Sequence, residues 1–133
     1  MPGDWFREQF GLSDRVAIVT GGSGVLGGAI ARGLAHAGAW VVVIGRREKQ
    51  VETSAAAISE TGGSAIGLVA DVLDRAQLES VRDTVLERWG RIDILINAAG
   101  GNLPGATLPP GGSLFDLKID ALREVVDLNL FGT

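Results

Sequence analysis

The sequence predicts an α/β fold in which a parallel sheet is covered by helices on both faces. Short apolar runs rich in Val and Ile alternate with longer amphipathic segments along the chain, the pattern of successive βαβ units. The apolar runs are continuous, as expected for strands buried on both sides. A turn crowded with glycine, 20–27, joins the first run to the first amphipathic segment.

Strands and helices are expected in alternation, and right-handed crossovers between them give a strand order of 3-2-1-4. The first helix is identified by Leu26, Ile30 and Leu34 at a spacing of four. A proline- and glycine-rich loop, 100–112, follows the fourth strand. The second helix is expected to face inward with Val51, Ala55 and Ile58. The third helix is expected to face inward with Leu78, Val81 and Val85. The expected strands are 16–20, 40–44, 65–70 and 92–96, and the expected helices are 25–37, 48–61, 74–89 and one from about 119.

Composition excludes several classes of function. A chain of 133 residues that is 46% hydrophobic and 21% charged fits one domain with a packed core. A net charge of −4 gives no support for nucleic-acid binding. Without cysteine, and with His36 as the one histidine, we expect neither disulfides nor a metal site. The apolar runs are too short to cross a membrane, and the N-terminus lacks a signal peptide's apolar stretch. We therefore expect a soluble, cytoplasmic protein.

The glycine turn has the spacing Gly22-x-Gly24-x-x-Gly27, which is typical of dinucleotide-binding sites of the Rossmann type. There a strand ends in a tight turn, and the N-terminus of the next helix presents backbone N–H groups to a pyrophosphate. The alternative is a flexible strand-to-helix turn in a chain that holds 20 glycines. The strand before the turn and the helix after it favour nucleotide binding.

The end of the second strand indicates which nucleotide is bound. NAD-binding folds tend to place Asp or Glu there, where it accepts hydrogen bonds from the ribose hydroxyls. This chain has Arg46 and Arg47 instead. A guanidinium can pair with a 2′-phosphate through two hydrogen bonds, so we expect NADP(H) to be preferred and NAD(H) to be the second choice. The alternative is a solvated arginine pair at the start of the second helix.

Four motifs together resemble the short-chain dehydrogenase/reductase family over nearly the whole chain. They are Thr20-Gly21 with Gly27, Asp71-Val72 after the third strand, Asn97-Ala98-Ala99-Gly100 after the fourth, and Asn129 in the last helix. The resemblance implies hydride transfer between a nicotinamide cofactor and an alcohol or carbonyl substrate, and a dimer or tetramer. The segments 97–102 and 126–130 are similar to those of sugar-acid reductases such as fructuronate or mannonate reductases.

The resemblance also implies roles for single residues. Asp71 is expected to accept the adenine amino group, and Asn129 to help hold a water molecule beside the catalytic lysine. Val25 departs from the family, which usually has glycine there. The glycine spacing, the arginine pair and the resemblance together predict the cofactor-binding residues Gly21, Gly22, Ser23, Gly24, Val25, Leu26, Gly27, Arg46, Arg47, Asp71, Val72, Asn97, Ala98, Ala99 and Gly100.

Structural alternatives remain for three of these residues. Asp71 could stabilise the turn into the third helix, and Asn97 could hold neighbouring backbone at the end of its strand. Asn129 could be a purely structural amide. It continues a stripe formed by Leu122, Val125 and Val126, and we expect that stripe to face the core. The same stripe would equally serve a subunit interface.

The family's proton transfer needs a tyrosine, a lysine four residues later and a serine, and this sequence contains no tyrosine. We therefore expect residues 1–133 to be a single N-terminal dinucleotide-binding region, inactive alone and part of a longer domain, with the doubly wound sheet incomplete beyond its fourth strand. Two alternatives stay open. One is a non-catalytic nucleotide sensor whose fourth strand docks on a partner. The other is half of a split enzyme.

Overall fold

The computed structural model of the chain describes residue 5 and residues 8–133. Four parallel strands form one sheet in the order β3-β2-β1-β4, which confirms the predicted fold class and strand order. After β4 come two short 3₁₀ turns, Pro104–Ala106 and Leu114–Asp116, and a π-helical turn, Asp127–Phe131, follows the last helix. The strands are β1 (Val16–Thr20), β2 (Trp40–Gly45), β3 (Ser64–Val69) and β4 (Ile94–Asn97), and the helices are α1 (Val25–His36), α2 (Glu48–Glu60), α3 (Arg75–Trp89) and α4 (Ile119–Val126).

The core has two layers, one on each face of the sheet. Side chains alternate between the faces of a strand, and both sets are apolar here, so the continuous apolar runs are explained. The predicted inward faces of α2 and α3 are confirmed, and α3 ends where Gly90 adopts a left-handed conformation. One layer packs Ala17, Val19, Val41 and Val43 against Ala31, Ala35, Val51 and Ile58; the other packs Val16, Ile18, Val42 and Ile44 against Val81 and Val85.

The buried face of α1 differs from the row of large residues that identified the helix. Leu26 is 70% exposed, whereas Gly27, Gly28, Ala31 and Ala35 are buried. Small residues let the helix axis approach the sheet closely, and a leucine on that face would hold the two layers apart. Leu34 from that row does pack against this layer, so the spacing predicted the helix and only part of the side that packs.

The prediction that the apolar stripe of α4 faces the core is wrong for the described part of the chain, and the alternative, a subunit interface, stays a prediction. Leu122 and Val126 are 38% and 39% exposed. The helix packs instead on the turn Pro104–Ala106, where the Lys118 N–H donates to the Gly105 carbonyl over 3.0 Å. Within residues 8–133, neither this helix nor any other is both long and apolar enough to span a bilayer.

The register brings the carboxyl ends of the strands to one edge of the sheet. Thr20 at the end of β1 is paired with Ile44 on one side and with Asn97 on the other, and Gly45 is paired with Val69. In open α/β sheets, ligands bind in the crevice outside these ends. The fold therefore places the glycine turn, Arg46 and Asp71 around one crevice.

Candidate functional site

A cavity of about 200 Å³ lies at the carboxyl edge of the sheet. It is bounded by the β1–α1 turn, by the segments that follow β2 and β3, and by the segment that follows β4. Most of the predicted cofactor-binding residues meet there, although they come from four separate parts of the chain. The lining residues are Gly21, Ser23, Gly24, Ile44, Gly45, Arg46, Arg47, Ala70, Asp71, Val72, Ala98, Ala99, Gly100 and Leu128.

At the glycine turn, the main chain at Gly21, at Gly27 and at Ala98–Ala99 comes into contact with no side chain between the three segments. Gly21 has φ +63°, a left-handed conformation that costs other residues strain. A Cβ on Gly21 would also lie 2.5 Å from the Ala98 carbonyl oxygen and 2.8 Å from Ala99 Cα. A Cβ on Gly27 would collide with the Gly21 carbonyl. Because all of these neighbours are backbone atoms, they cannot rotate away, and both positions require glycine.

The N-terminus of α1 opens onto the cavity with its amides uncapped by any side chain. Gly24 is the N-cap and has no side chain to offer, and the first turn of the helix carries no acidic residue. First-turn N–H groups have no carbonyl partner in their own helix, and they form the positive end of the helix dipole. Val25, the departure from the family pattern, is 95% exposed, so its side chain does not crowd the turn. This end of the cavity is suited to an anion.

Thr20 positions the segment that follows β4. Its buried hydroxyl accepts hydrogen bonds from the N–H groups of Ala98 and Ala99, each over 3.2 Å, and donates to the Ile96 carbonyl over 3.4 Å. The sequence pattern around Thr20 did not indicate this role. The signal that could have revealed it is the strand order, because β1 and β4 are neighbours and Thr20 lies opposite Asn97.

Arg46 and Asp71 face each other at one end of the cavity. The Ala70 N–H donates to the Gly45 carbonyl over 3.1 Å, which holds the ends of β2 and β3 together just before these two residues. Arg46 Nη1 lies 4.0 Å from Asp71 Oδ2. Meanwhile Asp71 Oδ1 accepts the Leu73 N–H over 3.0 Å. Asp71 therefore does stabilise its turn, and one carboxylate oxygen remains for Arg46.

Asn129 lies in the π-helical turn and is exposed, so the prediction that its amide points at the core is wrong. The side chain instead holds the loop that follows β4. Its Oδ1 accepts the Gly101 N–H over 3.1 Å, and its Nδ2 donates to the Gly101 carbonyl over 2.8 Å and to the Val125 carbonyl over 2.7 Å. These bonds correspond to the structural alternative for Asn129, and a catalytic role stays a prediction.

The remaining predicted contacts lie beside the cavity without lining it. Gly22 and Gly27 are buried beneath the turn, and Asn97 ends β4. Ile44, Gly45 and Ala70 were missed, although each lies at or directly after the end of a predicted strand. Leu128 was missed as well, and no local pattern marks it. The predicted residues outside the lining are Gly22, Val25, Leu26, Gly27 and Asn97.

The strongest electrostatic cluster lies at the opposite edge of the sheet. Asp93 accepts the Val16 N–H over 2.9 Å and also pairs with Arg91 and Arg15. The hydrogen bonds from Arg91 and from the backbone lower the pKa of Asp93 to about 2, and the same carboxylate raises the pKa of Arg91. This cluster ties β4 to β1 far from the cavity. Among the residues that the structure describes, no three His, Asp or Glu side chains lie close enough together to hold a metal ion.

The sequence of this chain is similar to those of known oxidoreductases. The family model for short chain dehydrogenases matches residues 15–133. The uncharacterized oxidoreductase UxuB of Bacillus subtilis is 37% identical, over 91% of this chain and 46% of its own length. The short-chain reductase protein NovJ of Streptomyces niveus is 36% identical, over 99% and 48%.

A solved structure shows the same likeness in three dimensions. A candidate D-mannonate oxidoreductase of Haemophilus influenzae, with bound NAD, superimposes with a TM-score of 0.85 at 29% identity, over 96% of this chain and 49% of its own. The chain thus spans about half the length of the relatives it matches. By sequence and by fold, the chain belongs to the short-chain dehydrogenase family.

Proposed function

We propose that this chain forms the cofactor-binding half of an oxidoreductase that transfers a hydride between a nicotinamide dinucleotide and an alcohol or carbonyl group, and that it binds NADP(H) in preference to NAD(H). One observation carries the proposal. The backbone contact between Gly21 and Ala98 leaves a cavity whose one end is the uncapped N-terminus of α1 and whose other end holds Arg46.

In this proposal the dinucleotide extends along the carboxyl edge of the sheet. The pyrophosphate lies on the turn at Ser23 and Gly24, where N–H groups and the helix dipole favour negative charge. The adenosine lies between Arg46 and Asp71. The nicotinamide end runs past Ala98 towards the loop held by Asn129.

The preference for NADP(H) rests on Arg46 and Arg47, which line the cavity where a carboxylate would otherwise stand. A carboxylate there would repel a 2′-phosphate, whereas a guanidinium pairs with it. The NAD in the related Haemophilus influenzae structure supports NAD(H) as the second cofactor.

The chemical step needs residues that this chain does not contain. The sequence has no tyrosine, and the family resemblance makes a tyrosine the residue that exchanges a proton with the substrate oxygen. We therefore propose that the chain binds cofactor but turns nothing over by itself. For the complete enzyme we propose a sugar acid as substrate and a dimer or tetramer as the assembly, on the strength of the resemblance and of the related D-mannonate oxidoreductase.

Calorimetric titration of the 133-residue chain with NADPH and with NADH tests the proposal, using Arg46→Gln as the variant. Losing one charge-assisted contact at an exposed site should weaken NADPH binding about tenfold and weaken NADH binding much less, because NADH has no 2′-phosphate. Arg82→Gln is the matched control, because Arg82 pairs with Asp83 on α3, outside the cavity. Equal effects of Arg46→Gln on both cofactors would remove Arg46 from the phosphate site, and no binding of either cofactor would refute the proposed function.

A further inference from the structure

We propose that Asp71 is a specificity-determining residue that acts through Arg46: it holds the guanidinium that a 2′-phosphate needs, and so lets NAD(H) compete with NADP(H). This inference rests on the proposed function, since it concerns the same cavity. Asp71 is a positioning residue in this role, because its effect on the phosphate passes through Arg46.

Asp71 is the fixed member of the pair. Its N–H donates to Gln77 Oε1 over 2.9 Å, and its Oδ1 accepts the Leu73 N–H over 3.0 Å. Gln77 is fixed in turn, since its own N–H and side-chain amide both donate to Asp74. With its backbone and one oxygen occupied, Asp71 presents the other oxygen, Oδ2, to the cavity.

Arg46 is the mobile member. Its side chain is 69% exposed against 32% for Asp71, and the two groups are 4.0 Å apart, longer than a hydrogen bond. A contact of this length at an exposed site is weak. The guanidinium can therefore leave Asp71 for a stronger partner within its reach.

The two cofactors make different demands on this pair. A 2′-hydroxyl needs no cation, so NAD(H) can bind with the pair intact. A 2′-phosphate carries about −1.5 to −2 charges at neutral pH, so it draws Arg46 away from Asp71. The free-energy cost of breaking the Arg46–Asp71 ion pair therefore weakens NADP(H) binding but not NAD(H) binding. Asp71 thus reduces the preference for NADP(H) over NAD(H) that Arg46 creates.

Asp71→Asn tests the inference with little change to the backbone. The asparagine oxygen can still accept the Leu73 N–H, because Asn forms the same turn as Asp, while the charge that holds Arg46 is removed. We expect the ratio of NADPH to NADH affinity, measured by calorimetry, to rise about two- to fivefold, the range for an exposed ion pair. A general loss of contact with adenine would weaken both cofactors equally and leave the ratio unchanged.

Asp83→Asn is the matched control, because it removes the same charge from the exposed pair with Arg82; it should leave the ratio unchanged. In an Arg46→Gln background, Asp71→Asn should lose its effect on the ratio. A full effect in that background would mean direct repulsion of the phosphate by Asp71 and would overturn the inference. Asp71→Ser, which also removes the charge and keeps a turn-forming acceptor, gives the same test if the asparagine variant fails to fold.

The outcomes separate this inference from the proposed function. If Arg46→Gln weakens NADPH binding but Asp71→Asn leaves the ratio unchanged, the proposed function stands and the role of Asp71 is refuted. If the parent chain binds neither cofactor, both are refuted.

Discussion

Replacing Gly21 with alanine should destabilise the fold and abolish cofactor binding together. The left-handed backbone at φ +63° costs a non-glycine residue about 1–2 kcal/mol. The new Cβ would also lie 2.5 Å from the Ala98 carbonyl oxygen, and relieving such overpacking typically costs about 1–3 kcal/mol. We therefore expect the free energy of unfolding to fall by about 2–5 kcal/mol.

Thermal unfolding followed by circular dichroism measures this loss, and the Tm should fall by roughly 6–20 °C. Gly33→Ala is the matched control. Gly33 lies on the exposed side of α1, with no atom within 4 Å of an added Cβ, so alanine should stabilise the helix by about 0.5–1 kcal/mol. If Gly21→Ala left the Tm unchanged, or raised it as Gly33→Ala should, the close approach of the turn to the segment after β4 would be wrong.

Three further substitutions test other contacts. Thr20→Val should leave two partly buried N–H groups without their hydroxyl partner and cost about 0.5–1.5 kcal/mol in urea unfolding, whereas Thr20→Ser should cost much less; equal losses would refute the role of the hydroxyl. Asp93 has a pKa lowered to about 2, so its ionised form stabilises the fold above pH 4 and that stability is lost as the pH falls towards 2. The Tm of the parent should fall more steeply over this range than that of Asp93→Asn, and parallel curves would contradict the assignment. Asn129→Ala should speed amide exchange at Gly101 while exchange in the central strands stays unchanged, and unaltered exchange at Gly101 would show that other contacts hold the loop.

Regular patterns in the sequence were enough to predict the sheet. β1 was predicted with its observed ends, and the strand order followed from the handedness of the crossovers. The buried face of α1 was only partly predictable from its large residues: Leu34 packs against the core, but the helix approaches the sheet mainly through Gly27 and Gly28. How closely α1 approaches the sheet depends on the strand residues that it packs against, and the pattern of residues within one helix does not indicate these.

The site was predictable where it depends on strand ends and not where it depends on contacts between segments. The glycine turn and Arg46 could be placed at the cavity because each directly follows a strand. The hydroxyl of Thr20 and the pair of Arg46 with Asp71 join residues far apart in sequence. Asn129 was expected to be buried because its stripe is apolar, but α4 packs mainly on the turn Pro104–Ala106 and not on the sheet.

An NMR titration of the isotope-labelled chain with NADP⁺ tests the account most directly, because it reports each backbone amide separately. A pyrophosphate on the main chain at 21–27 should give the largest amide shifts in that turn and at 98–100, and Gly21→Ala should abolish them. Shifts centred on the opposite edge of the sheet near Asp93, or no shifts at saturating dinucleotide, would contradict a cofactor site at the glycine turn.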